Sequence, residues 1–117
     1  MSLRIGIDIG STTVKVVLLD EQNKLLFRSY ERHLSMVREK TCELLRRAEP
    51  TLKGQQVKAV ITGSAGLGLA KSEKVDFVQE VFATAEAVET FIPDTDAVIE
   101  LGGEDAKILF LTNGTEV

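Results

Sequence analysis

A glycine-and-hydroxyl turn between two apolar strands constrains the fold of this chain more than any other feature. Residues 3–9, LRIGIDI, alternate large apolar side chains with polar or small ones, and residues 14–19, VKVVLL, are rich in β-branched residues. The segment between them is Gly10-Ser11-Thr12-Thr13. This pattern predicts two antiparallel strands joined by a tight turn.

A second unit of the same kind lies near the carboxyl end. The strands predicted at residues 97–101, AVIEL, and 106–111, AKILFL, flank Gly102-Gly103-Glu104-Asp105. In both units an acidic residue stands two positions before the first turn glycine, and a lysine, Lys15 or Lys107, stands just inside the second strand. The chain therefore contains an internal repeat of a motif, although not of a whole domain.

The sequence between the two units predicts a mixed α/β fold. It contains two further predicted strands and two predicted helices: strands over 24–30 and 57–62, a helix over 34–48 that Pro50 ends, and a helix from a cap at Asp76 to about Phe91. We interpret the glycine-rich residues 63–68 as a strand-to-helix connection, with a loop facing a nucleotide or a partner as the alternative. The predicted order, β-β-β-α-β-α-β-β, is typical of a mixed sheet with helices packed on it.

The two turns have the composition of a phosphate-binding site. Gly10, Gly102 and Gly103 allow close approach of the backbone, and successive N–H groups in a turn form a concavity that binds anions. The three hydroxyl side chains that follow Gly10 add further donors. From the spacing alone, a plain hairpin and a phosphate-binding turn both fit these residues.

Acidic residues beside the turns are candidate metal ligands. Asp8, at the end of the first strand, is placed to hold Mg²⁺ or its water shell, because magnesium on phosphates takes one or two carboxylates and keeps several waters. Asp105 is its counterpart in the second turn, acting on the metal or on the attacking water, and Glu104 lies beside it. For Lys15, contact with phosphate and exposure to solvent remain alternatives.

Charge and composition exclude several other classes of function. The net charge is −4 without a block of like charges, so no basic footprint for nucleic acid is present. No apolar run is long enough to span a bilayer, and residues 1–4 lack the apolar stretch of a signal peptide. The single cysteine, Cys42, excludes an internal disulfide framework. We expect a cytoplasmic protein, with neither a nucleic acid nor a membrane as partner.

Two further polar residues are candidates for structural roles. His33 precedes the first predicted helix, which favours a surface or capping role over a catalytic one. Glu80 falls near the edge of the apolar face of the second predicted helix, which favours a solvated or cap-supporting role over a site carboxylate.

The two motifs resemble those of a known superfamily. Residues 5–20, IGIDIGSTTVKVVLLD, and residues 97–108, AVIELGGEDAKI, resemble the first and second phosphate motifs of the actin/Hsp70/sugar-kinase superfamily. Within it, the chain most resembles the BadF/BadG/BcrA/BcrD ATPase family, in particular the activators of 2-hydroxyacyl-CoA dehydratases. Their second motif has the form D-I-G-G-Q-D-x-K, and this chain departs from it at Glu100 and Glu104.

The resemblance implies a fold and a nucleotide site. The fold would be ribonuclease H-like, as in actin-like ATPases, with a first subdomain over residues 1–92 and the opening hairpin of an incomplete second subdomain over 93–117. ATP and Mg²⁺ would bind in a cleft between two subdomains. Asp8 and Asp105 would be the catalytic and metal-binding residues, and the nucleotide would be bound by Gly10, Ser11, Thr12, Thr13, Lys15, Gly102, Gly103 and Glu104.

The resemblance also implies a function for the parent protein. ATP hydrolysis would drive a conformational change that lets an electron pass to a partner dehydratase. Such activators hold a [4Fe–4S] cluster between two subunits through cysteines that follow the second motif, so we expect the cluster only in a full-length parent, and we expect a homodimer. The 117 residues alone are expected to hydrolyse ATP poorly or not at all. The alternatives are a fragment of a sugar- or acetate-type kinase and a nucleotide-switched, actin-like binding module.

Overall fold

Two compact units make up the chain, Met1–Phe77 and Val78–Val117. A computed structural model describes residues 2–52, 54–101, 106–112, 115 and 116. The predicted subdomain boundary after residue 92 stays a prediction. Among the helices in the described ranges, none is long and apolar enough to cross a membrane.

The first unit alternates strands and helices. In chain order its elements are β1 Ser2–Ile9, β2 Thr13–Leu19, β3 Leu25–Arg32, α1 Val37–Leu52, β4 Gln56–Thr62, α2 Leu67–Glu73 and β5 Asp76–Phe77. Its sheet has the strand order β3-β2-β1-β4-β5. The pairs β1–β2 and β2–β3 are antiparallel, whereas β1–β4 and β4–β5 are parallel. This mixed sheet with flanking helices confirms the predicted fold class.

The alternating pattern of the first two strands builds the core. Every second residue of β1 and β2 is buried: Leu3, Ile5, Ile7, Ile9, Val14, Val16 and Leu18. They cluster with Leu44 of α1 and Ala70 of α2. Burying one such large side chain contributes about 1.5–3 kcal/mol. Because successive strand residues face opposite sides, this burial assigns Asp8 and Lys15 to the other face of the sheet.

The first helix starts and ends later than predicted. Pro50 lies inside α1, so the prediction that it ends the helix is wrong. A proline in a helix loses one backbone hydrogen bond, but Leu44, Ala48 and Leu52 share one face, and Leu52 still packs on the core. Packing of that partly buried leucine against the core favours continuation of the helix past the proline.

Ion pairs join α1 to the edge strand β3. Glu31 contacts both Arg47 and Lys40, and Glu43 contacts the same two cations. The hydrogen bond from Arg47 is the main cause that lowers the pKa of Glu31 below its ordinary value of 4.5. The hydrogen bond with Glu43 likewise raises the pKa of Lys40 above 10.5.

The region after β4 contains elements that the sequence pattern did not predict. The interpretation of residues 63–68 as a strand-to-helix connection is confirmed, since they lead from β4 into the short helix α2. The predicted helix cap at Asp76 is wrong, because Asp76 and Phe77 pair in parallel with Val60 and Ile61 of β4. Phe77 also packs against the core, which favours extended backbone at this point.

The second unit consists of a helix and a small antiparallel sheet. Its elements are α3 Glu80–Phe91, β6 Ala97–Leu101, β7 Ala106–Thr112 and β8 Thr115–Glu116, in the strand order β6-β7-β8. Helix α3 ends where predicted, but it starts four residues after the expected cap, with Gln79 as its N-cap. With α2, β5 and β8 included, the observed order is β-β-β-α-β-α-β-α-β-β-β, which corrects the predicted order.

Candidate functional site

The first turn forms where β1 ends. Asp8 lies opposite Lys15 in the ladder between β1 and β2, and the Gly10 N–H donates to the Thr13 carbonyl oxygen over 2.9 Å. The intervening residues of the turn are exposed. The structure therefore brings the residues predicted for this half of the site together: Asp8, Gly10, Ser11, Thr12, Thr13 and Lys15.

A lysine and a carboxylate face each other beside the turn. Lys15 Nζ donates to Asp8 Oδ2 over 3.3 Å, and each side chain is about one-third exposed. The same Nζ lies 5.1 Å from the centre of the Tyr30 ring on β3, within the range of a cation–π contact. Lys15 is therefore held next to Asp8, with its charge near the open side of the turn.

The other carboxylate oxygen of Asp8 has a different environment. Asp8 Oδ1 is buried, and no hydrogen-bond partner for it is found in the described part of the chain. A buried carboxylate oxygen without a partner is costly, and it suits a cation or its bound water. The described residues contain no group of three or more His, Cys, Asp or Glu side chains that could hold a metal ion. One carboxylate with phosphates and waters is, however, an ordinary Mg²⁺ environment, so this site fits that ion.

The connection between β4 and α2 covers Asp8. Gly63 has φ of +103°, and a Cβ on it would lie 2.7 Å from Asp8 Oδ1 and 2.2 Å from the Ile9 carbonyl oxygen. That carbonyl oxygen accepts the Ala65 N–H over 2.9 Å. Only glycine fits here, because a side chain would occupy the space that the carboxylate uses. The alternative interpretation of residues 63–68, a loop facing a nucleotide or a partner, stays a prediction.

His33 packs under the turn rather than at the surface. Only 6% of its surface is exposed, so the surface role is wrong, while the capping role expected as its alternative stays a prediction. Its backbone N–H donates to the Thr12 carbonyl oxygen over 3.0 Å, and ring Nε2 lies 2.9 Å from the Gly10 carbonyl oxygen. His33 thus contacts the turn from the side of β3.

The second turn lies outside the described residues. This applies to the predicted site residues Gly102, Gly103, Glu104 and Asp105. The strands that flank the second turn repeat the register of the first hairpin, since Glu100 lies opposite Lys107 as Asp8 lies opposite Lys15.

The side chains around the second hairpin have partners on α3. Lys107 Nζ forms an ion pair with Glu80, and Glu100 Oε2 accepts a hydrogen bond from the Thr84 hydroxyl over 3.2 Å. Glu80 therefore pairs with a lysine from the first turn of α3, and the solvated or cap-supporting role expected for it stays a prediction.

An iron–sulfur cluster does not fit the residues present. A [4Fe–4S] cluster takes four cysteine thiolates, whereas the 117 residues supply one cysteine, Cys42. That thiol is free and exposed on α1. No chemical step is therefore assigned to such a cluster.

The sequence pattern predicts that Asp8, the turn and Lys15 lie together, as they do, but it does not predict the contacts of Gly63 and His33 with them. Gly63 could have been suspected from its place at the end of a buried strand, where a glycine often permits close approach of backbone. His33 gives no signal in its neighbouring residues, because its contacts lie across β2 and β3.

The comparison with protein families gives a match over nearly the whole chain. Residues 5–117 match the model of the BadF/BadG/BcrA/BcrD ATPase family. The chain is 33% identical to an uncharacterised protein of Methanocaldococcus jannaschii, over 97% of this chain and 45% of that protein. It is 31% identical to the 2-hydroxyisocaproyl-CoA dehydratase activator of Clostridioides difficile, over 92% of this chain and 41% of that protein.

Solved structures with the same fold agree with this match. The activator of the 2-hydroxyisocaproyl-CoA dehydratase from Clostridium difficile, with bound ADPNP, superposes with a TM-score of 0.75 at 29% identity, over 98% of this chain and 43% of that one. Component A of the (R)-2-hydroxyglutaryl-CoA dehydratase of Acidaminococcus fermentans gives a TM-score of 0.79 at 22% identity, over 99% and 45%. The chain therefore spans less than half the length of these relatives.

Proposed function

The chain belongs to the BadF/BadG/BcrA/BcrD ATPase family, and on that premise we propose that it supplies a phosphate-binding turn, residues 10–13, and a carboxylate that binds Mg²⁺, Asp8, to an ATP-hydrolysing activator. In the complete protein, ATP hydrolysis is coupled to electron transfer into a 2-hydroxyacyl-CoA dehydratase. The observation that carries the proposal is the buried Oδ1 of Asp8, which lies next to a turn of Gly10 and three hydroxyl residues and has no hydrogen-bond partner among the described residues. The ion pair with Lys15 uses Oδ2 and leaves Oδ1 available for a cation or its bound water.

Each residue of the first turn has a proposed role. Asp8 binds Mg²⁺, directly or through a water, and Mg²⁺ neutralises charge on the phosphates of ATP. Backbone N–H groups and hydroxyls of Ser11, Thr12 and Thr13 bind a phosphate, and Gly10 lets it approach closely. Lys15, held at 3.3 Å from Asp8, adds a positive charge on the same side of the sheet.

We assign a role to the second turn because its hairpin has the same strand register as the first hairpin. Gly102, Gly103 and Glu104 contact the nucleotide, and Asp105 acts on the metal or on the attacking water. The support is the equivalence of the two hairpins, in which Glu100 faces Lys107 as Asp8 faces Lys15.

The names of the relatives support a proposal for the partners of the complete protein. Two of them are named as an activator of 2-hydroxyisocaproyl-CoA dehydratase and as a component of a (R)-2-hydroxyglutaryl-CoA dehydratase. We therefore assign a 2-hydroxyacyl-CoA dehydratase as partner, with ATP and ADP as ligands. The working form is a homodimer in the cytoplasm, and its [4Fe–4S] cluster is held by residues outside these 117.

Binding of Mg-ATP tests the proposed site. Calorimetry should be run on the 117-residue chain and on the protein encoded by its complete gene, each with and without Mg²⁺. Asp8→Asn should weaken Mg-ATP binding about tenfold or more, while leaving the weaker binding of metal-free ATP unchanged. Asp94→Asn makes the same chemical change at an exposed position in the second unit and serves as the matched control.

Two results would contradict the proposal. One is equal Mg-ATP affinity of the Asp8→Asn variant and the wild type. The other is the absence of Mg-ATP binding by both proteins. Binding by the complete gene product alone would agree with a nucleotide site to which these residues contribute one side.

A further inference from the structure

His33 is a buried polar residue without a role in the proposed chemistry. It lies in the connection between β3 and α1, yet only 6% of its surface is exposed. A buried imidazole is costly unless its ring nitrogens are hydrogen-bonded. Both are bonded here, one to the Gly10 carbonyl oxygen and one to the backbone of Ser35.

The hydrogen bonds fix where the ring proton resides. The Ser35 N–H donates to Nδ1 over 3.1 Å, so Nδ1 acts as an acceptor and carries no proton in the neutral ring. The proton is therefore on Nε2, and Nε2–H donates to the Gly10 carbonyl oxygen over 2.9 Å.

This bond changes the first turn from an ordinary hairpin. In a closed two-residue hairpin, the Gly10 carbonyl oxygen would accept the Thr13 N–H in exchange for the reverse bond. Here the reverse bond is present, from Gly10 N–H to the Thr13 carbonyl oxygen. The Gly10 carbonyl itself is bonded to the ring of His33. The Thr12 carbonyl oxygen is bonded to the backbone N–H of the same histidine.

Holding two carbonyls on one side determines where the next N–H groups point. In a planar trans peptide, the C=O of one residue and the N–H of the next point in opposite directions. The Ser11 N–H therefore points away from the carbonyl of Gly10, and the Thr13 N–H away from that of Thr12. Both donors are directed away from His33, as an anion-binding concavity requires.

We propose that His33 is the positioning residue of the phosphate turn: its ring holds the Gly10 carbonyl and its backbone N–H holds the Thr12 carbonyl, so that the Ser11 and Thr13 N–H groups face the nucleotide phosphate. It does not touch the reacting atoms, and this role rests on the proposed phosphate site. Without the ring, the Gly10 peptide could turn its carbonyl oxygen towards the anion. Phosphate binding would then have to fix the peptide orientation that His33 otherwise fixes in advance, which would lower the affinity.

Two substitutions of His33 separate positioning from packing. His33→Gln keeps an N–H at a similar distance from the backbone, whereas His33→Leu fills the space without a donor. Neither removes the backbone N–H that donates to Thr12. Calorimetry on whichever protein binds Mg-ATP should give about tenfold weaker binding for His33→Leu and a loss within about threefold for His33→Gln.

A second measurement does not depend on nucleotide. Nitrogen NMR of the nucleotide-free chain should show a proton on Nε2 of His33, and the amide signals of Ser11 and Thr13 should move in His33→Leu more than in His33→Gln. If the wild type binds no Mg-ATP, the proposed function fails, while these signals still decide whether His33 holds the turn.

Three results would overturn the role of His33. The first is wild-type affinity in the His33→Leu variant, and the second is a ring proton on Nδ1. The third is a loss of Mg-ATP affinity in both variants in proportion to the fall of their urea unfolding midpoints. The N–H donor of glutamine would then not restore affinity, and His33 would contribute only to packing.

Discussion

The two hairpins have the same register but different surroundings. Asp8 faces Lys15 in the β1–β2 pair, and Glu100 faces Lys107 in the β6–β7 pair. In the first, the lysine donates to the carboxylate of its own hairpin. In the second, it pairs with Glu80 on α3. The motif thus determines which residues face each other, and the neighbouring elements determine how these residues pair.

Burial separates the two hairpins further. Ile9, beside the first turn, is completely buried. In the second hairpin, Leu109 and Leu111 are buried on one face, whereas Ile99, Ile108 and Phe110 on the other face are 60–68% exposed. The first hairpin has β4 beside it and the 63–66 loop over Asp8. The burial of Asp8 Oδ1 is therefore a product of packing around the motif.

The largest effect is expected when the loop over the first hairpin is changed. In Gly63→Ala, a Cβ would overlap the backbone of Ile9, which no rotamer relieves, and φ of +103° is strained for alanine. We expect a loss of about 3–5 kcal/mol in the free energy of unfolding. Urea unfolding followed by circular dichroism measures it, and Mg-ATP binding should be lost as well.

Gly54→Ala is the matched control for this substitution. Gly54 also has positive φ, +76°, but nothing lies within 4 Å of a Cβ there. Only the backbone cost of about 1 kcal/mol should remain. Equal losses in the two variants would show that the contact with Ile9 and Asp8 has no energetic consequence.

An intermediate effect on stability is expected from matched isoleucine-to-valine substitutions, one at a buried site of the first hairpin and one at an exposed site of the second. Ile9→Val removes one methylene from a fully buried site and should cost about 1 kcal/mol. Ile108→Val makes the same change at a 60% exposed site of the second hairpin and should change stability by no more than about 0.5 kcal/mol. Because the chain forms two units, unfolding should be followed through amide NMR signals of each unit. A larger loss for Ile108→Val would contradict the difference in burial.

The smallest effect concerns the exposed ion pairs that join β3 to α1. Because Arg47 lowers the pKa of Glu31 in the folded state, ionised Glu31 favours folding above the ordinary pKa of 4.5. This contribution is lost as the pH falls through the lowered folded-state pKa. The Glu31→Gln variant should therefore be less stable than the wild type at pH 7, with the difference fading below about pH 4.5.

Thermal unfolding at several pH values measures this dependence. Glu49→Gln, at an exposed position of α1, is the control. A difference between Glu31→Gln and the wild type that stays constant from pH 7 to pH 3 would rule out the ion pair as its cause.

Much of the fold could be predicted because strand alternation is a local signal. The buried residues of β1 and β2, and their joining turn, follow directly from period-two patterning. Helix α2 could not be predicted in the same way, because its seven residues include Gly68 and bury only Ala70. The prediction that Pro50 ends the helix is wrong for a related reason. The helix-breaking propensity of proline is local, whereas the packing of Leu52 on the core depends on the folded structure.

The site could be predicted as far as its residues adjoin one another in the sequence. Asp8, Gly10 and Lys15 belong to one hairpin, and their types and spacing suffice to bring them together. The burial of Asp8 Oδ1 and the bond from His33 to Gly10 depend on segments that meet only in the folded sheet. Periodicity within a short window cannot detect such contacts.

The parallel pairing of β1 with β4 also determines when the pocket around Asp8 can form. The turn needs β1, β2 and His33 after β3, which follow one another in the chain, and such local pairs form early and fast. The cover supplied by Gly63 requires β4, which follows β3 and α1 in the sequence, so a long loop must close first. A nascent chain halted on the ribosome before Gly63 would thus possess the turn while its carboxylate still faced water.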